Sequence, residues 1–139
     1  MAKRGIEALA AVPLFEGLSR RDMRRLRDLG TESEYMAGDT IVQEGDEAIS
    51  FFVILSGEAK VSIGNREVNR LFPGDHFGEI SLLDGGKRTA SVVSVTPVLV
   101  LRFERGPFTK LLAHEPTIMM SVLTGIARML RRTQRSLEA

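Results

Sequence analysis

Turn signals interrupt residues 31–103 so regularly that few folds can accommodate them. Gly38-Asp39, Glu44-Gly45-Asp46, Ser56-Gly57, Gly64-Asn65 and Pro73-Gly74-Asp75 fall at the intervals used by a β-sandwich or barrel. Residues 50–55 form a continuous apolar run that suits a strand buried on both faces. Ala59, Val61 and Ile63 alternate with polar residues, which predicts a strand with one buried face. Gly64-Asn65 places glycine first in a two-residue hairpin, as a type II′ turn requires. Residues 89–95 and 98–103 read as the last strands, broken at Thr96-Pro97. The pattern predicts an antiparallel β-roll of jelly-roll type.

Helical patterns lie on either side of this stretch. Within residues 1–30, Ser19 is a good N-cap, and Asp22 sits where a capping box needs its acidic member. Leu18 and Met23 can staple across that cap, Met23, Leu26 and Leu29 share a face, and Gly30 stops the helix. The arginines between them read as a solvated face. In residues 104–139 a short helix over 108–113 ends before Pro116. Pro116 suits the first turn of a longer helix running towards Leu137, because its missing N–H costs nothing there. Met119, Val122, Ile126, Met129 and Thr133 follow a 3-4-3-4 spacing, the spacing of a coiled-coil seam, flanked by Arg128, Arg131, Arg132 and Arg135. The first turns are expected on the barrel of the same chain. Beyond Leu130 the helix lacks an evident partner in its own sequence, which predicts a two-fold homodimer seam.

The chemistry is concentrated in residues 77–92. Gly78 leaves room for close backbone approach. Ile80-Ser81-Leu82-Leu83 makes about one helical turn, whose first amides lack internal partners and suit an anion. Asp84-Gly85-Gly86 ends that turn. Arg88 then enters a strand beside Thr89 and Ala90; a guanidinium, a hydroxyl and nearby amides are good partners for one phosphate. Glu79 is too acidic for the phosphate shell and is better placed to accept a hydrogen bond from a sugar hydroxyl. A turn carrying a surface Glu–Arg pair is the bland alternative, and it needs many ordered positions to match by chance.

Phe77-Gly78-Glu79, a short apolar helix, a glycine-containing loop and Arg88-Thr89-Ala90 together resemble the phosphate-binding cassette of cyclic nucleotide-binding domains. This is the family of the bacterial catabolite activator protein and the kinase regulatory subunits. The resemblance covers nearly the whole chain, with the cassette its specific part. It implies one domain over residues 1–139, with N-terminal helices (1–30), a β-roll (31–103) and C-terminal helices (104–139). It implies that Glu79 holds the ribose 2′-hydroxyl, that Arg88 neutralises the cyclic phosphate, and that Thr89 and Ala90 complete the phosphate shell with Gly78, Ile80 and Ser81 beside them. Leu55 and Val68 are implied against the base. Thr133 falls where the catabolite activator offers a helix hydroxyl to adenine across the dimer, whereas Gln134 departs from the serine found there. The implied ligand is cAMP, with cGMP second. The implied output is movement of the C-terminal helices, passed to an effector protein or a fused domain. The helix-turn-helix of the catabolite activators is absent, so the resemblance implies no DNA binding by this chain.

Composition narrows the alternatives. The chain has 139 residues, 43% of them apolar, enough for one compact domain with a real core. It has no cysteine, which excludes disulfides, thiolate metal sites and cysteine nucleophiles. His76 and His114 are its only imidazoles, too few for a histidine-rich metal cluster, and both read as turn or surface residues. Asp39, Asp46, Asp75 and Asp84 sit at turns, where aspartate bonds nearby backbone, and they form no catalytic pair. Net charge is +1, no apolar run approaches a membrane span, and the N-terminus lacks a secretory apolar region. These observations predict a cytoplasmic, non-enzymatic protein without a cofactor. Three classes stand: a cyclic-nucleotide sensor; a degenerate domain kept for dimerisation or partner binding; and a jelly-roll enzyme of cupin type, which the two separated histidines disfavour.

Overall fold

The computed structural model describes residues 5–138, with side chains for all of these except 79–81 and 136–138. Two four-stranded antiparallel sheets make a roll, with helices at both ends of the sequence. α1 (Ile6–Ala10), a 3-10 turn (Pro13–Phe15) and α2 (Arg20–Leu29) come first. Then follow β1 (Thr31–Tyr35), β2 (Thr40–Val42), β3 (Ser50–Ser56), β4 (Ala59–Ile63), β5 (Arg66–Leu71) and β6 (His76–Phe77). α3 (Glu79–Asp84) precedes β7 (Ser91–Ser94) and β8 (Val98–Glu104), and α4 (Arg105–His114) and α5 (Pro116–Glu138) close the order. One sheet runs β1-β8-β3-β6 and the other β2-β7-β4-β5.

β3 and β8 explain the uninterrupted apolar runs, because each is covered on both faces. Phe51 and Val53 of β3, with Leu101 and Phe103 of β8, face the helices and pack with Phe15, Phe108, Ile118 and Val122. Phe51 stacks on Phe103 at 4.8 Å and meets Phe108 edge-on at 4.9 Å, the geometries aromatic rings prefer. The alternate residues, Phe52 and Ile54 with Val98 and Val100, fill the roll between the sheets, beside Ala59, Leu71, Phe77 and Val92. The chain changes sheets at Gly57 and again at Pro97, and the two crossings touch. Gly57 has φ +93°, and a side chain there would strike the Pro97 carbonyl. The expected hairpin is present: β4 pairs with β5, Gly64 has positive φ, and Asn65 does not, as type II′ requires.

Ser19 caps α2, its hydroxyl accepting from the Asp22 amide at 3.1 Å. The Asp22 carboxylate is itself buried and accepts from the Thr117 hydroxyl at 2.7 Å, which ties α2 to the start of α5. Two expectations need correction. Arg27 is not on a solvated face: it is buried and pairs with Glu32 at 2.9 Å, since the chain leaves α2 extended at Gly30 and β1, which starts at Thr31, carries Glu32 alongside it. The strand expected over 89–95 begins only at Ser91, because Thr89 and Ala90 form a bend. The seam row on α5 is largely used within the chain. Val122, Ile126 and Met129 pack on the chain's own core, leaving Met119 and Thr133 at its exposed ends.

Candidate functional site

Arg88 is held in place by its own backbone. Its amide donates to the Asp46 carbonyl at 2.8 Å, and its carbonyl accepts from the Gly45 amide at 2.9 Å. This clamps residues 87–88 to the loop before β3 and turns the side chain inward, where it is 6% exposed. Nη2 donates to the Ser50 carbonyl at 2.6 Å and Nη1 to the Gly78 carbonyl at 3.4 Å. The guanidinium lies 5.8 Å from the centre of the Phe52 ring, which stacks on Phe77 at 4.9 Å. Gly78 has φ +92°, and a Cβ at that position would run into Arg88 Nη1. Glycine there serves two needs at once, the backbone conformation and the space for the guanidinium.

Electrostatically, this is a cation short of a counter-charge. Burial pulls the Arg88 pKa below the ordinary arginine value, and the Asp46 charge opposes that only in part. Among the described residues, its hydrogen bonds go to neutral carbonyls. An arginine stays protonated even so, which leaves a desolvated positive charge suited to an anion. A cavity of about 230 Å³ opens beside it, lined among others by Tyr35, Gln43, Asp46, Phe52 and Arg102. Arg102 pairs with Glu104 at 3.1 Å.

The other sequence-predicted residues are only partly gathered here. Glu79, Ile80 and Ser81 form the start of α3, directly after Gly78, and their side chains lie outside the described residues. Thr89 is exposed and Ala90 half-buried in the bend after Arg88. Leu55 is a correction. It packs with the core beneath the helices, on the opposite side of β3 from Phe52 and Ile54, because it has the parity of Phe51 and Val53. Val68 is exposed on edge strand β5, at an irregularity of the β4–β5 register. Thr133 is exposed near the end of α5, and its hydroxyl donates to the Met129 carbonyl at 3.1 Å. Neither residue lines the Arg88 cavity.

Sequence reasoning missed Asp46, Ser50, Phe52 and Phe77 as the surroundings of Arg88. Asp39, Asp75 and Asp84 do bond nearby amides, at 2.7–2.8 Å. Asp46 is the turn aspartate whose charge acts on Arg88. No group of three or more His, Asp or Glu residues among the described ones could hold a metal ion. No helix among the described residues is long and apolar enough to cross a membrane.

The family model for the cyclic nucleotide-binding domain matches residues 32–115. The chain is 34% identical over 128 residues to a cAMP-dependent protein kinase regulatory subunit of Colletotrichum orbiculare, covering 87% of this chain and 33% of that protein. It therefore spans about a third of that relative's length. The N-terminal domain of a transcriptional regulator from Streptomyces coelicolor A3(2) superposes with a TM-score of 0.84 at 30% identity, covering 91% of this chain and 94% of that one. The regulatory subunit of a cAMP-independent protein kinase A from Trypanosoma brucei superposes with a TM-score of 0.76 at 26% identity, covering 96% of this chain and 46% of that one. With the cassette in sequence, the paired sheets, the flanking helices and a family match over more than half its length, the chain belongs to the cyclic nucleotide-binding domain family.

Proposed function

We propose that the chain is the sensor for a 3′,5′-cyclic mononucleotide, cAMP ahead of cGMP, and binds it unchanged, as a non-enzymatic regulatory unit over residues 1–139. The observation that carries this reading is Arg88, buried among carbonyls with its charge incompletely compensated. A cyclic phosphate supplies the counter-charge. The Thr89 hydroxyl and the backbone of Ala90, Gly78, Ile80 and Ser81 complete its shell, and Glu79 accepts from the ribose 2′-hydroxyl. Val68, open on β5, is a surface that a base could cover.

The route for the signal is apolar. Leu82 of α3 is fully buried in the cluster that holds Phe108 and Leu112 of α4 and Ile118 and Val122 of α5. A ligand that shifts α3 therefore presses on both C-terminal helices. We take the receiver to be an effector protein or a fused domain, the working form to be a homodimer through α5, and the compartment to be the cytoplasm.

Calorimetry with cAMP, cGMP and 2′-deoxy-cAMP on wild type and Arg88→Leu tests the reading. Wild type should bind cAMP most tightly and reject the deoxy form, which leaves the Glu79 carboxylate unpaired. Arg88→Leu should lose about 2–5 kcal/mol of affinity, the cost of leaving a buried charge without its partner. A wild type that binds none of the three supports a second reading, a domain kept for partner binding. The Trypanosoma brucei structure, the regulatory subunit of a cAMP-independent protein kinase A, favours that second reading.

A further inference from the structure

We propose that the outer end of α5 is a docking strip for an acidic segment of a partner protein. Arg128, Arg131, Arg132 and Arg135 stand at i, i+3, i+4 and i+7, which places them on one face of the helix. All four are exposed, and together they line one open cleft. From Pro116 to Arg135 the helix carries no acidic residue. Among the described residues, the carboxylate brought to the strip is Glu16, 3.4 Å from Arg128, with both side chains more than half exposed.

The arrangement is unfavourable in isolation. Every neighbouring pair in the strip is a like-charge pair at i,i+3 or i,i+4, and such pairs destabilise a helix. Apart from the exposed Arg128–Glu16 contact, the strip takes no part in core packing among the described residues. The core-facing row of α5 is Ile118, Val122, Gly125, Ile126 and Met129, on a different face. Carboxylates spaced along a second chain would relieve the repulsion, and each could take a guanidinium fork with two parallel hydrogen bonds.

Charge complementarity selects this occupant over other anions. The helical segments 1–30 and 104–139 carry thirteen basic and seven acidic residues, whereas residues 31–103 carry six basic and eleven acidic. A long polyanion leaving the strip would meet an acidic roll, and the sequence pI of about 8.2 is below that of a typical nucleic-acid-binding domain. A bilayer surface would want aromatic anchors and basic residues on both flanks of an apolar face. α5 has no aromatic residue, and its arginines flank the exposed apolar row on one side only. A short acidic segment needs the strip and nothing more.

The test uses the whole chain and a fluorescein-labelled helical peptide with glutamates at i, i+3, i+4 and i+7, read by anisotropy. Wild type should bind it, and more weakly as salt rises. Reversing Arg131→Glu and Arg132→Glu together should weaken binding at least about tenfold and transfer it to the matching lysine peptide. Cyclic-nucleotide affinity is measured alongside on wild type, so that failure of the peptide to bind and failure of the nucleotide to bind are read separately. No binding of the glutamate peptide, equal binding by the reversed variant, or tighter binding of a short DNA duplex or of vesicles containing phosphatidylglycerol would overturn the proposal.

Discussion

Gly78 and Arg88 act as one unit. The glycine holds φ +92°, and its missing side chain is the space that the guanidinium occupies. Gly78→Ala should therefore act twice. Alanine in a left-handed conformation should cost more than about 1 kcal/mol of stability. Its methyl should also push Arg88 from the Gly78 and Ser50 carbonyls and weaken nucleotide binding. Chemical unfolding and calorimetry on the variant check both effects; an alanine variant as stable as wild type, with the same affinity, would remove Gly78 from this role. Gly78 and Arg88 were legible in the sequence because they belong to one short ordered motif. Ser50 was not, because it meets Arg88 from 38 positions away through a backbone carbonyl, a group every residue has. Leu55 was misread for a related reason. A run apolar at every position shows that both faces of β3 are covered but not which residue faces which layer. Arg27 shows the same limit, since charge alone did not reveal that Glu32 would lie alongside it.

Among the elements, α5 carries the most ambiguous pattern. Met119, Val122, Ile126, Met129 and Thr133 form one 3-4-3-4 row, and Met120, Leu123, Ala127 and Leu130 form a second, one residue later. Sequence spacing cannot rank the two rows. Packing does, because Gly125 lets α5 lie directly on the 3-10 turn, and that contact draws the first row inward. An added Cβ at Gly125 would come within 2.6 Å of Leu14 Cα and 2.8 Å of the Pro13 carbonyl oxygen. Gly125→Ala thus sets two known effects against each other. Helix propensity favours alanine by about 1 kcal/mol. Overpacking against backbone, which has no rotamer to escape into, costs about 1–3 kcal/mol. The packing cost should win, so the variant should melt below wild type; a higher melting temperature would mean that α5 can slide away from the turn. The helix starts and stops were easier to read. Ser19, Gly30 and Pro116 act through the backbone of their immediate neighbours, and all three mark boundaries as expected.

For the molecule as a whole, the relation that matters is between ligand and partner copy. The outer row of α5 exposes Met120 and Leu130 by more than 60% and Leu123 by 54%, an apolar stripe with no cover among the described residues. A second α5 across a two-fold axis would cover it, and Thr133, close to the end of that row, would then lie near the junction of the two chains. Leu123→Glu places a charge in the middle of the stripe and should give a monomer by sedimentation, with wild type a dimer. Its own fold should survive, since Leu123 is not part of the core. Linkage then separates two arrangements. Ligand at about one hundred times its dissociation constant stabilises whatever it binds by about 2.7 kcal/mol. If the nucleotide touches one chain only, the Leu123→Glu monomer should gain that full amount and bind cAMP as wild type does. If Thr133 of the partner copy reaches the base, the monomer should bind more weakly, Thr133→Ala should weaken the wild-type dimer's affinity in the same direction, and cAMP filling both sites should tighten the dimer by the square of the factor that the monomer loses at each site. We expect the second pattern. Equal cAMP affinity in wild type, Leu123→Glu and Thr133→Ala would confine the site to a single roll, because a contact made across the dimer must weaken when either the dimer or the contacting hydroxyl is removed.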